Sequence, residues 1–233
     1  VAGGLLLVMR WPWHWRVLGV PLLLPVLLWQ PLRPAAGEFE LLAADIGQGN
    51  AVLVRTAGHA LLYDAGPRYS RESDAGHRVL VPLLRALGER LDTLVLSHRD
   101  TDHVGGAAAV LAMQPQAKLL SSIEDTHELQ QRRPGQRCLA GQRWHWDGVD
   151  FEVLHPSPEH FDDTGQGRLP SNAMSCVLRV GNGRRWAWLS GDLDAERETR
   201  LALAQPQLRA DLLLAPHHGS ASSSSPVLLN TLR

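Results

Sequence analysis

Apolar and polar positions along the chain change their pattern near residue 38. Before it, residues 4–9 and 17–28 are nearly continuous apolar runs, separated by Arg10-Trp11-Pro12-Trp13-His14-Trp15-Arg16 and interrupted in the second run by Pro21 and Pro25. Neither run reaches the ~20 residues that carry a helix across a bilayer. Tryptophan and arginine between apolar runs is nevertheless the composition of a membrane interface. A cleaved secretory leader is the rival reading, against which stand a first residue other than Met, no clear small-residue cleavage pattern, and the tryptophan cluster. Residues 1–37 are therefore expected to be a hydrophobic, membrane-associated segment of a longer membrane protein, with residues 31–37 as its linker.

From Glu38 the apolar runs become short and are bounded by glycine. Residues 39–45, 51–54, 60–64, 91–96, 118–120, 151–154, 174–180, 185–189 and 211–214 read as strands. Residues 79–87 carry apolar side chains at helical spacing up to Gly88, a helix stop, and residues 105–113 and 195–204 read as further helices. Many strands punctuated by helices predict an α/β fold for residues 38–233, with two mainly antiparallel sheets inside and helices outside, an αββα sandwich.

Composition narrows the choice of partner only a little. The chain has 233 residues, enough for one sizeable core, and a net charge of −1; removing the three cations of residues 1–37 leaves −4 for the rest. Global charge thus gives no case for nucleic-acid binding, although bound cations would let an acidic domain accept phosphate. Cys138 and Cys176 are separated by 38 positions without a CxxC spacing, so neither a disulfide framework nor a thiolate zinc site is expected.

The candidate chemistry is concentrated after the apolar strand at 94–96, where His98, Asp100, Asp102 and His103 follow within six positions. In an extended loop alternate side chains share a direction, so His98, Asp100 and Asp102 are expected to converge while His103 turns toward a second ion. Two other apolar strands run into Ser190-Gly191-Asp192 and Pro216-His217-His218-Gly219. The two oxygens of Asp192 suit a bridge between cations; the competing role is to cap the helix that begins near Ala195. His217 and His218 are adjacent, so both cannot easily be core residues of one strand face, and at least one is expected to be functional. Arg132, Arg133, Arg137 and Arg143, with Trp144 and Trp146, read either as a stacking and phosphate platform for DNA or as a solvated hairpin with its tryptophans packed inward.

Taken in order, Asp45-Ile46-Gly47-Gln48-Gly49-Asn50, Leu62-Tyr63-Asp64-Ala65-Gly66, the residues from His98 to His103, Asn172-Ala173-Met174-Ser175, Gly191-Asp192 and Pro216-His217-His218-Gly219-Ser220 resemble the metallo-β-lactamase-like domain of the ComEC family of bacterial DNA-uptake channel proteins. The resemblance covers nearly all of residues 38–225, and the tryptophan-rich stretch ahead of it is similar to the last membrane segments of that family's transport region.

That resemblance implies a metallo-β-lactamase-type sandwich with two divalent ions, manganese or zinc, and no organic cofactor. It carries over His98, Asp100, Asp102, His103, Asp192 and one of His217 and His218 as metal positions. Asp64 becomes a support of the metal loop, and Asn172 and Ser175 become substrate or supporting groups. Asp100 stands where the usual motif has His, a harder donor that favours manganese or magnesium. It also implies a carboxyl end cut short of a further strand and histidine. The expected activity is phosphodiester hydrolysis of DNA, preferably single-stranded, during uptake, on the outer face of the inner membrane beside the transport region. Asp102 or Asp192 would orient or deprotonate the nucleophile, and His217 or His218 would protonate the leaving oxygen. A small-molecule phosphodiesterase and a non-catalytic DNA-handling module are the rivals.

Overall fold

The computed structural model describes residues 2–28, 32–161 and 169–233. Contacts divide the chain into two compact units, residues 1–32 and 33–233.

In the first unit the apolar runs fold into three short helices, α1 (Ala2–Val8), α2 (Trp13–Val17) and α3 (Gly19–Leu27). Pro12 sits ahead of α2, where a missing N–H costs nothing. α1 and α3 approach at Gly3 and Gly19, where a Cβ on either would strike the other's carbonyl oxygen. Most of the large apolar side chains stay exposed, among them Trp13 at 75% and Val26 at 76%. Among the described residues no helix is long and apolar enough to cross a membrane.

The second unit contains the two expected sheets. In the first, β1 (Glu40–Ala43), β2 (Val52–Arg55) and β3 (Ala60–Tyr63) form an antiparallel meander. A small hairpin, β4 (Arg68–Ser70) and β5 (Ser73–Asp74), follows outside the sheet. Then β6 (Thr93–Leu96), β7 (Lys118–Ser121) and β8 (Gln136–Arg137) add side by side, each parallel to its neighbour beginning at β3. Three of the five pairings in this sheet are therefore parallel, against the expectation of mainly antiparallel pairing. The reason is the helical crossovers: α4 (Val81–Ala86), entered through a π-helical turn at Gly76–Leu80, connects β3 to β6, and α5 (Thr101–Val104) with α6 (Ala107–Met113) connects β6 to β7. α7 (Glu128–Arg132) precedes β8.

In the second sheet β9 (Arg143–Trp146), β10 (Val149–His155), β11 (Val177–Gly181) and β12 (Trp186–Leu189) pair antiparallel, and β13 (Leu212–Leu213) lies parallel to β12. α8 (Ala195–Ala204) and α9 (Pro226–Thr231) belong to this half.

Three apolar clusters show why the layers stack. All residues of β2, β3 and β6 are buried, so both faces of the first sheet are covered. Leu53, Leu62, Leu94 and Leu96 cluster with Leu80, Leu84 and Val110 of the helical layer. Val52, Val54, Leu61, Tyr63 and Val95 join Phe151, Leu178 and Val180 between the sheets. Trp188, Val177 and Leu193 pack with Ala202 and Leu228 on the far side. The order helix, sheet, sheet, helix is the αββα sandwich.

Two expectations are corrected here. Residues 33–37, expected as linker, are part of the second unit: Arg33 pairs with Glu89 at 3.0 Å, Gly37 N–H donates to Asp147 O at 2.6 Å, and Asn182 donates to Gly37 O at 2.8 Å. Pro31 of that stretch lies outside the described residues. Cys138 and Cys176, whose spacing indicated no disulfide framework, form a disulfide with both residues fully buried between the sheets. Their separation along the chain conceals that the sandwich brings Cys138, after β8, against Cys176, before β11.

Candidate metal centre

The site is built where β3 and β6 end side by side. Asp64, immediately after β3, adopts a left-handed conformation with φ 59° and is wholly buried. Its Oδ1 accepts the Ser97 N–H at 2.7 Å, and its Oδ2 accepts the Ser97 hydroxyl at 2.8 Å. His103 Nδ1 lies 2.8 Å from the same Oδ2. Asp64 thereby fixes the ring of His103 and leaves Nε2 to face outward. Ser97, whose hydroxyl is also 2.9 Å from His98 Nδ1, ties both histidines to this carboxylate. Ser97 is absent from the candidates read from the sequence; its place directly ahead of a run of ligand-type residues is the signal that could have found it.

The loop after β6 is not extended throughout. Asp100 is extended, but a helical turn begins at Thr101, so the chain reverses its side-chain period between Asp100 and Asp102. His98, Asp100 and Asp102 therefore do not share one face as expected. His98 Nε2 and Asp100 Oδ2 form one pair at 3.6 Å. Asp102 and His103 join Asp192 and His218 in a second group, whose ligand-type atoms all lie within 4.8 Å of one another. The groups adjoin, for the His98 and His103 rings are 4.1 Å apart. The turn can pack this closely because Gly105 and Gly106 lie against the backbone of Arg68 and of Gly76 and Ala65, where a Cβ would collide.

Asp192 enters from the end of β12. Gly191, φ 55°, leaves no room for a side chain against Ser97 and Ser175, and Asp192 N–H donates to Ser175 Oγ at 3.1 Å. Asp192 Oδ1 then lies 3.2 Å from His103 Nε2 and 3.7 Å from His218 Nε2. The helix cap that competed for this role is supplied instead by Asp194, which accepts from Arg197 N–H. His217 and His218 both have positive φ, 49° and 52°, and their rings diverge, with planes 68° apart. His218 approaches Asp102 at 3.3 Å and belongs to the four-residue group. His217, expected as a ligand, lies beside that group instead. Its Nδ1 is 3.1 Å from Ser222 Oγ, and its Nε2 is 3.4 Å from Asn172 Nδ2 and 3.7 Å from Asp192 Oδ2.

The electrostatics match the geometry. Burial opposes a charge on His103, but Asp64 and the close approach of Asp192 outweigh it and push the pKa up to about 10. Burial likewise opposes ionisation of Asp192, yet His103, His98 and His218 hold its carboxyl below the ordinary range. His98 beside Asp100 holds that carboxyl down at about 2. Nε2 of His98, His103 and His218 and Oδ1 of Asp192 are buried without a hydrogen-bond partner. Four such atoms in one place are costly unless a cation satisfies them, and mixed imidazole and carboxylate donors suit a divalent metal. The residues fit the group.

The four arginines do not make one platform. Arg132 faces Glu128 at 3.6 Å, Arg133 donates to Ala117 O and Leu111 O, and Arg143 donates to Glu152. Trp144 stacks on Phe151 and Trp146 on His59, so the tryptophans pack inward. The acids that face Arg132 and Arg143, Glu128 and Glu152, lie just outside the stretch 130–146. Arg137 alone of the four lines a cleft shared with His98.

Against known proteins, the sequence model described as the metallo-beta-lactamase superfamily matches residues 44–230. Competence protein ComA of Neisseria gonorrhoeae is 39% identical over 94% of this chain and 29% of its own length. Recombination protein 2 of Haemophilus influenzae is 34% identical over 89% of this chain and 24% of its own length. The chain thus spans less than a third of either relative. Among solved structures, a metallo-beta-lactamase from Cronobacter sakazakii superposes with a TM-score of 0.53 at 19% identity, over 80% of this chain and 79% of that one, a likeness of fold alone.

Proposed function

The chain belongs to the metallo-beta-lactamase superfamily, and from that premise we propose that it is a metal-dependent phosphodiesterase, a nuclease acting on DNA within a membrane-bound uptake protein. The observation that carries this reading is the convergence of Asp102, His103, Asp192 and His218, of which His103, Asp192 and His218 each bring a buried ligand atom without a hydrogen-bond partner. These four would hold one divalent ion, and His98 and Asp100 would help to hold a second. Manganese or zinc bound there would acidify water and offset the charge on the phosphate oxygens.

The protein's own groups do the rest. Asp64 and Ser97 hold the rings of His103 and His98 in the orientation that frees Nε2. Ser175 holds the backbone of Asp192. Asp102, a third exposed at its side chain, is reached by solvent and would orient the attacking water. His217 stands beyond the four-residue group, braced by Ser222 and Asn172, where it can give a proton to the leaving oxygen.

DNA is the substrate this reading selects because the relatives are named for competence and recombination. The first unit, with Trp11, Trp13 and Trp15 exposed among apolar side chains, associates with the membrane beside the transport region of the longer protein. A buried disulfide supports placing the second unit on the oxidising outer face of the inner membrane.

The test is hydrolysis by the purified chain, supplied with manganese or zinc, of fluorescent single-stranded DNA, duplex DNA and bis(p-nitrophenyl) phosphate. Cleavage of DNA that disappears in Asp102→Ala is the expected result. Cleavage of the small diester with DNA left intact under every metal would replace the nuclease with a small-molecule phosphodiesterase, and no cleavage with metal bound would leave a non-catalytic DNA-handling module.

A further inference from the structure

The parallel strands β6, β7 and β8 point their carboxyl ends the same way, and ligands of α/β sheets gather at such ends. Here the segments that follow β6 and β7, with Arg137 of β8 and with His160, Phe161, Leu169, Ser171 and Met174, line a cleft of about 300 Å³. His98 lines it, so the cleft adjoins the metal centre. Its rim carries two guanidinium groups, Arg99 beside Glu124 and Arg137 beside Asp125. Ile123, Phe161 and Met174 supply apolar lining.

Arg137 is the best placed of these groups for an anion. Its Nη2 lies 2.7 Å from Asp125 Oδ2, and its guanidinium carbon lies 5.2 Å from the centre of the Phe161 ring. Asp125 is 68% exposed at its side chain, so water already weakens the pair and a phosphate can share or displace it at small cost. A guanidinium has five donors in a planar fork, and one salt bridge leaves others for phosphate oxygens. The ring behind it limits the directions the fork can take.

The size of the cleft selects the ligand further. It stands at the lower bound of small-ligand sites, roughly 300–1,000 Å³, a volume suited to one nucleoside-sized unit. Aromatic and apolar walls beside a basic group are how single strands are held without sequence preference.

We infer that this cleft is a one-nucleotide subsite for a single strand: Arg137 grips the phosphate next to the one at the metal centre, and Phe161, Ile123 and Met174 receive the intervening base. The inference rests on the phosphodiesterase reading and adds to it a preference for unpaired nucleic acid and the residues that impose it.

The experiment measures fluorescence anisotropy of a labelled phosphorothioate oligothymidylate, which resists cleavage, on the manganese-loaded chain. Arg137→Ala is expected to weaken binding roughly tenfold, Phe161→Ala to weaken it severalfold, and Arg137→Lys to recover part of the loss, all with unchanged urea midpoints. A duplex of the same length should compete poorly. Binding within twofold of the unaltered protein in both alanine variants, or equal competition by duplex, overturns the subsite. Hydrolysis of bis(p-nitrophenyl) phosphate by the unaltered chain is followed in parallel. Arg137-dependent binding without hydrolysis keeps the subsite and removes the phosphodiesterase reading, whereas hydrolysis with Arg137-independent binding does the reverse.

Discussion

His103 Nδ1 lies 2.8 Å from Asp64 Oδ2, and neither side chain has any exposure to solvent. This contact fixes which nitrogen of His103 faces the metal centre. Asp64→Asn keeps the volume but removes the charge that orients and polarises the ring. Metal affinity is expected to fall by roughly 10–100-fold, the usual cost of losing a carboxylate behind a ligand histidine, as read by calorimetric titration with manganese or zinc. An unchanged dissociation constant would show that Asp64 serves folding alone.

The adjacent histidines should separate in function. His218→Ala removes a member of the four-residue group and should lower bound metal, measured by mass spectrometry of the dialysed protein. His217→Ala should retain the metal and lose rate, by roughly 10²–10⁴-fold if it is the proton donor. Equal metal loss in both variants would refute the division.

His155, buried against the Ser175 carbonyl, predicts a pH dependence of stability. Burial pushes its pKa down from about 6.5 to about 4. Above the higher value both folded and unfolded chains hold it neutral, and it contributes nothing. As pH falls through this window the unfolded chain takes up a proton that the folded chain refuses, so stability drops, by on the order of 3 kcal/mol in full. Urea midpoints taken at about pH 7 and about pH 4.5 should therefore differ less in His155→Gln than in the unaltered protein. An identical decline would assign the acid sensitivity to other groups.

The disulfide ties the two sheets across a separation of 38 residues. Closing a loop of that length stabilises by about 4 kcal/mol in the chain-entropy description. Replacing both Cys138 and Cys176 by Ala should lower the unfolding free energy by roughly 2–5 kcal/mol, measured by urea denaturation under oxidising conditions. A change under 1 kcal/mol would mean that the surrounding inter-sheet core already holds Cys176, and with it Ser175 and Asp192, in place.

Local order alone determined much of this protein. The change at residue 38, the apolar runs that became β2, β3, β6 and β12, and the ligand-type residues placed directly after β6 and β12 could all be read from spacing, because burial imposes a short-range period on each strand. Order along the chain also implied the αββα layering. The tertiary structure decided relations that depend on separations no local period encodes. The helical turn at Thr101 set Asp102 beside His103 and left His98 with Asp100. Positive φ at two successive residues chose His218 over His217 for the four-residue group. Packing of the sheets joined Cys138 to Cys176 and set Arg133 against the carbonyls of Ala117 and Leu111, leaving Arg137 at the cleft. These outcomes follow from long-range packing and from single backbone dihedrals, where a change of one residue's conformation redirects a side chain while the hydrophobic pattern stays the same.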